Sequence, residues 1–449
     1  MKTYLTSLYH FFCGLVLLLS GSYSYAQIPE KASFGKYALI NAEIHTVTKG
    51  VIPSGVVLIE GKNIVYVGTN AKITAEYEVI DCTGKRIYPG FIDAYTSLGL
   101  VEISAVPVTV DNAELGEFNP HIRAFTAINP TAAAIPVTRV SGVTTVIAAP
   151  SSGRVSGKST LINLYGYSPD TMAVLGNAAL HLSWPSSGGG RFGGFGGMQR
   201  SAEQVREAYQ QTLKELNDFW DQSKFYDAMM DEFEQQSKGK KRPDVDVRME
   251  AMREVMDGKI PVVISVDREN DILEAIKWTQ KHPQIRFALA SVAEGWRVAD
   301  KIAQAGLPVL VGPTLRTPSR DYDNYQRPYQ NPGLLAKAGV KVAIISSGTE
   351  NVRNVIYNAG YAATYGLGIE EAIKALTLHP AQIFGISNRL GSIEDGKMAN
   401  LFIVDGDPFE LTSNVEQVFI AGHKIPMVSR QTQLYQEFIK RDQNPAQQD

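Results

Sequence analysis

The chain has 449 residues, a formal net charge of −3, and a composition of 44% hydrophobic and 20% charged residues. That balance excludes a disordered chain, which lacks the apolar surface to offset its ordering entropy, and is long enough for more than one domain. It also leaves no electrostatic footprint for nucleic acid or an acidic membrane surface; the one basic run, Lys238, Lys240, Lys241 and Arg242, lies beside Pro243, Asp244 and Asp246 and reads as a solvated loop.

Taken from the start, Lys2, an apolar run over residues 11–19 and the small residues of Ser24-Tyr25-Ala26 have the form of a secretory signal peptide over residues 1–26. The expectation is a secreted, periplasmic protein whose mature chain begins at Gln27. The run is too short to cross about 30 Å of hydrocarbon as a helix, and no later stretch is apolar enough, so no membrane span is expected after signal removal. Cys13 falls in the leader, which leaves Cys82 alone and no internal disulfide.

Residues 37–88 show short β-type runs broken by turn residues, with Gly61-Lys62-Asn63 as one turn, and read as a small meander. From residue 89 onward, β-type runs at 90–95, 142–149, 262–267, 285–292, 308–312 and 340–346 alternate with helical stretches such as 271–282, 294–305 and 369–378. This α/β alternation predicts a parallel sheet flanked by helices. A (β/α)8 TIM-like barrel over residues 89–391 fits the length, and an open doubly wound sheet fits the same pattern. The stretch 184–250 breaks the alternation: a glycine-rich segment, 186–197, precedes a long helix opened by the capping box Ser201 to Gln204, with Val205, Tyr209, Leu213, Leu216 and Trp220 at helical spacing. It reads as an insertion over one face of the barrel, in the manner of a lid. Beyond residue 391, runs at 399–405 and 415–425 regain β character, with Gly422 marking a hairpin turn. Neither end has enough strands to bury a face alone, so residues 33–88 and 392–430 are expected to combine into one small composite β-sandwich domain.

Nucleotide motifs do not hold up. Gly188, Gly190 and Gly193 have dinucleotide-fingerprint spacing but lack a strand before and a helix directly after, and the run from Gly153 to Ser159 is one residue short of a phosphate loop. No Gly-x-Ser-x-Gly elbow and no His-Glu-x-x-His occurs, and the mature histidines His45, His121, His181, His282, His379 and His423 are scattered, with His282 before Pro283 expected to end a helix.

Two motifs carry more. The chain has Pro89-Gly90-Phe91-Ile92-Asp93-Ala94-Tyr95-Thr96-Ser97 at the front and, at the back, Ala375-Leu376-Thr377-Leu378-His379-Pro380-Ala381, Gly385 and Gly391-Ser392-Ile393-Glu394-Asp395-Gly396-Lys397-Met398-Ala399-Asn400. In this order, and over nearly all of the mature chain, it resembles the amidohydrolase superfamily, in particular the imidazolonepropionase-like and related secreted branch. The resemblance implies a barrel whose active members bind zinc or another divalent metal at the C-terminal mouth and hydrolyse carbon–nitrogen bonds. The family's front motif ends His-x-His, two rings on one face of a strand; here Tyr95 and Ser97 stand at those places. By the same resemblance, further ligand positions are taken by Ser265 and Asp267, by Ser291 and by Ser347.

A neutral hydroxyl is a poor zinc ligand, and without the ion there is no activated water. The resemblance with these departures therefore implies no metal, no cofactor and a catalytically inactive pseudoenzyme, binding a small molecule or pairing with an active amidohydrolase or with itself. Asp93, Arg268 and Glu294 complete the expected mouth. It is read either as a self-satisfied polar network or as a hydroxyl-rich pocket in which Arg268 holds a carboxylate and Tyr95 donates a proton. The rival readings are an active hydrolase of non-peptide or cyclic amides with ligands from His121 or His181, and a metal-independent enzyme with Asp267 as general base.

Overall fold

The computed structural model describes residues 31–188, 201–239 and 241–443; residues 1–26, expected as a signal peptide, and most of the glycine-rich segment lie outside the described residues. The two chain ends share one nine-stranded sheet. Its order is Ser33–Phe34, His423–Ile425, Val415–Ile420, Leu401–Val404, Arg86–Pro89, Lys36–His45, Val51–Glu60 and Asn63–Gly68, with Glu78–Asp81 added on Lys36–His45. The join is the antiparallel pair Leu401 to Pro89 and Ile403 to Ile87, so neither end buries its face without the other. Tyr37, Leu39, Ile59, Ile87, Leu401 and Phe419 form its core. The hairpin expected at Gly422 is present, with Ala421 and Gly422 both at positive φ, as a tight two-residue turn between twisted strands requires.

The second sheet is the barrel. Its strands are β1 (Phe91–Thr96), β2 (Val143–Ala148), β3 (Val155–Asn163), β4 (Ala173–Ser183), β5 (Val262–Val266), β6 (Phe287–Ser291), β7 (Val309–Val311) and β8 (Val342–Ile344), each paired with the next. It nearly closes: Ser347 N–H donates to the Tyr95 carbonyl at 3.1 Å and Ser97 N–H to that of Gly348 at 3.2 Å, joining the end of β8 to β1. One cluster fills the axis with residues from every strand, among them Ile92, Ile147, Leu161, Ala179, Val263 and Leu310. The front motif's glycine has a packing reason, since a Cβ on Gly90 would fall 2.1 Å from the Thr144 hydroxyl. Phe402 of the first sheet stacks on Tyr88 at 5.7 Å and meets Phe91 edge to face at 4.8 Å between ring centres, and ties sheet to barrel.

Six barrel strands coincide with β-type runs in the sequence; β3 and β4 do not. β3 runs antiparallel to both neighbours while the other pairings are parallel. It takes up most of the stretch that resembles a phosphate loop, and every one of its residues is buried. Its polar residues hide the strand in a hydropathy pattern, because Lys158, Ser159 and Asn163 are satisfied by protein partners rather than by water: buried Lys158, for example, reaches Glu254 at 2.6 Å.

The long helix α1 (Ala202–Gln235) has the expected capping box, Ser201 with Gln204. It is not a lid. Its buried face, including Leu216, Phe219, Trp220 and Met230, packs against the barrel's outer wall beside α2 (Val247–Met256) and α3 (Glu269–Thr279). Trp220 lies 4.8 Å from Trp278 of α3 and 6.4 Å from Phe287, and the Trp278 indole donates to Asn217 at 3.0 Å. A helix this amphipathic must bury its stripe, and the wall offers the apolar surface. His282 lies past the end of α3, buried against the same tryptophans, which push its imidazole down to about 4 by desolvation. The helix expected at 294–305 is split into a 3-10 turn, Gly295–Arg297, and a short helix, Ala299–Gln304.

Candidate functional site

Asp93 and Tyr95 on β1 meet β4, β5 and β8 at the mouth. The Asp93 side chain is fully buried; its Oδ1 accepts the N–H groups of Tyr95 and Ser346, each at 3.2 Å, while Oδ2 has no partner. Burial pushes its carboxyl up to about 7, against the opposing pull of those hydrogen bonds and the Ser346 hydroxyl. The Tyr95 phenol is likewise raised by burial, with a hydrogen bond to Ser265 acting the other way. Against Tyr95, at 5.0 Å between ring centres, sits His181 of β4. This imidazole is 2% exposed, neither ring nitrogen has a hydrogen-bond partner, and desolvation alone drives it down to about 3, so it is neutral. Opposite it on β3 is Gly157, where a Cβ would fall 2.7 Å from the Ile122 carbonyl, so the loop between β1 and β2 packs directly on that backbone.

The remaining expected residues divide. Ser97 shares a 2.6 Å hydrogen bond with Thr349 and staples β1 to the loop after β8. Ser291, at the end of β6, and Ser347, in the loop after β8, have φ of 71° and 53°, and Val292 follows Ser291 at 50°. A β-branched residue in the left-handed region is a costly conformation, and the buried Asn331 amide holds it by donating to the Val292 carbonyl at 2.9 Å. Asp267 is exposed on the rim and accepts the Ala293 N–H at 3.1 Å. Glu294 is buried: burial pushes its carboxyl up, but the Arg320 guanidinium, bonded to both oxygens at 2.6 Å, and the Glu269 N–H outweigh this and hold it below the usual range. Asp267, Arg268 and Glu294 line an open pocket with Arg316, Ser319 and Arg320. The structure therefore brings Asp93, Tyr95, Ser265 and His181 together in the barrel, and places Asp267, Arg268 and Glu294 in a separate group on the rim. His121 lies in the loop alongside β3, with its Nδ1 buried and unpaired. Arg316, Ser319 and Arg320 were missed in the sequence because a run of arginines and serines in a loop gives no periodic signal; only the loop's place after a barrel strand could have raised them.

The donor set at the mouth can be tested against a divalent ion. Among the described residues, the one group of three His, Cys, Asp or Glu side chains close enough to share an ion is Asp227, Asp231 and Asp257, on the outer wall. Arg253 already bonds two of these carboxylates, Asp227 at 3.2 Å and Asp231 at 2.7 Å. At the mouth the donors are one imidazole, a phenol and hydroxyls, with Asp93 held by backbone N–H groups on one oxygen.

The model for the amidohydrolase family matches residues 86–425. An amidohydrolase structure from Thermotoga maritima MSB8 is similar with a TM-score of 0.74 and 27% identity, covering 87% of this chain and 99% of that one. Structures of a molinate hydrolase (TM-score 0.54, 15% identity, 88% and 96% covered) and of a prolidase complexed with N-methylphosphonate-L-proline (0.51, 17%, 87% and 99%) share the fold. N-acetylglucosamine-6-phosphate deacetylase of Danio rerio is 37% identical over 60 residues, 13% of this chain and 14% of that protein. The match to that relative thus spans about a seventh of its length. With its barrel, bracketing sheet and Asp93 motif, the chain belongs to the amidohydrolase family.

Proposed function

We propose that this protein is a metal-free member of the family that binds a small molecule at the barrel mouth instead of hydrolysing one. The observation that carries the reading is the donor set: Tyr95, Ser97, Ser265, Asp267, Ser291 and Ser347 stand at the family's ligand positions, and none but Asp267 offers a zinc-type ligand. Asp267 is on the rim with one oxygen already used by Ala293. A lone carboxylate and hydroxyls do not hold the ion that would lower the pKa of water and polarise an amide. Purified without chelators or added metal, the protein should carry well under one zinc, manganese or iron per chain by elemental analysis; a stoichiometric ion overturns the proposal.

A hydrolytic reading has one observation in its favour, the unpaired imidazole of His181 beside Tyr95. One imidazole is short of the three protein ligands of a catalytic zinc site. Zinc titration with a panel of cyclic amides and dipeptides decides it, since turnover that appears with zinc supports hydrolysis. The signal peptide adds a periplasmic location to the proposal, checked by finding Gln27 at the N-terminus of protein from the periplasmic fraction. Pairing with an active relative rests on analogy of fold alone and is read out by the mass of the native assembly.

A further inference from the structure

The rim pocket, about 430 Å³, is lined by Asp267, Arg268, Glu294, Arg316, Ser319 and Arg320. A narrow recess that shares Arg316 and Ser319 continues to Ser291, so the pocket adjoins the mouth. Its charges are unevenly spent. Glu294 is fully engaged by Arg320, whose remaining nitrogen donates to the Tyr322 hydroxyl at 2.6 Å. Arg268 and Arg316 have no carboxylate partner among the described residues. Asp267 is the lining carboxylate that has no guanidinium or ammonium partner among the described residues. One side of Arg268 is covered: a Cβ on Gly188 would fall 1.1 Å from its Nη1, so the chain leaving β4 passes against the guanidinium.

Two unspent guanidinium forks on a concave surface, with a serine hydroxyl between them and the mouth, match the planar oxygens of an oxyanion. We propose that this pocket holds the oxyanion group of a small molecule, a carboxylate or a phosphate monoester, gripped by Arg268 and Arg316, with Ser319 as a further donor and Asp267 accepting from a hydroxyl or ammonium of the same ligand. The proposal deepens the binding function above, on which it rests for the claim that the mouth is a ligand site.

Calorimetric titration with inorganic phosphate and with succinate tests it on wild type, Arg268→Ala, Arg316→Ala, the double arginine variant and Asp267→Asn. At least one probe binds wild type; each arginine variant weakens it by roughly 10-fold or more, the worth of a charge-assisted hydrogen bond. Asp267→Asn tightens it by roughly 2- to 5-fold, because it removes an exposed like charge. Tighter phosphate identifies a phosphate ligand and tighter succinate a carboxylate. Failure of both probes to bind, or equal binding by the double variant, overturns the proposal. Should an arginine variant fail to fold, Asp267→Asn still decides by the opposite sign of its effect. Metal content and turnover judge the earlier proposal and oxyanion binding judges this one, so either can fail alone.

Discussion

Asn400 and His181 lie at opposite ends of the barrel and are similarly buried, at 5% and 2% exposure, yet their polar atoms are treated differently. The Asn400 amide donates to Asn163 at 2.8 Å and Thr145 at 3.0 Å, and its carbonyl accepts from Ala421 at 2.7 Å, so the side chain knits β2, β3 and the composite sheet together. At the mouth, both nitrogens of His181 and Oδ2 of Asp93 are unpaired. Leaving a buried polar atom unpaired costs about 1–3 kcal/mol. The lower end therefore uses polar residues to specify the fold, while the mouth keeps groups whose satisfaction must come from water or a ligand.

The largest test asks whether the outer wall belongs with the fold-specifying end. Trp220→Ala empties a site between Trp278, His282 and Phe287 and should cost about 3–5 kcal/mol by chemical denaturation. A cost under about 1 kcal/mol would return α1 to the role of a lid.

Next comes the pH signature of the mouth. Asp93 is raised from its ordinary 3.8 to about 7, so between these values the unfolded chain has lost a proton that the folded one keeps. Its contribution to stability therefore falls as pH rises through that window. His181 is lowered from 6.5 to about 3, so its contribution falls as pH drops through that range. The two oppose each other where the windows overlap. Asp93→Asn should remove the first alone and raise stability near pH 8 by on the order of 4 kcal/mol, leaving a profile that climbs from acid to neutral pH. His181→Leu should leave the reverse slope. Urea denaturation across pH reads both, and profiles parallel to wild type would break the contrast between the ends.

The sequence made some of this legible. Six barrel strands and the composite sheet could be read because their apolar runs and turn residues follow backbone geometry, and the Pro89-Gly90 motif because close packing at Thr144 demands that glycine. β3 was not legible, since its polar residues are paired in space with partners far away in sequence, such as Lys158 with Glu254. The same holds at the site. Tyr95 and Ser265 meet from strands that apolar runs reveal, but His181 sits on a strand whose existence the hydropathy pattern concealed. Arg316 is joined to Arg268 only by the way the loops after β5 and β7 converge. Spacing along a strand is local and can be read; convergence of separate strands cannot.

Asn400→Ala should cost about 2–3 kcal/mol, because it strips a buried network and orphans the Ala421 N–H. The same denaturation assay applied to a mouth residue with no structural partner should show far less.

The smallest expected effect is the most discriminating for the rim. Ser97, expected from the resemblance at a ligand position, spends its hydroxyl on Thr349, and Thr96 separately bonds the neighbouring Gly348 carbonyl, so the β1 to β8 junction does not hang on Ser97 alone. Ser97→Ala should then lower stability by about 1 kcal/mol and leave phosphate and succinate affinity unchanged. A drop in affinity with little change in stability would mean that Ser97 faces the ligand, and the staple at Thr349 would have to open on binding. In that case the barrel interior and the rim pocket would be one site, and the unpaired nitrogens of His181 would become candidates for the same ligand.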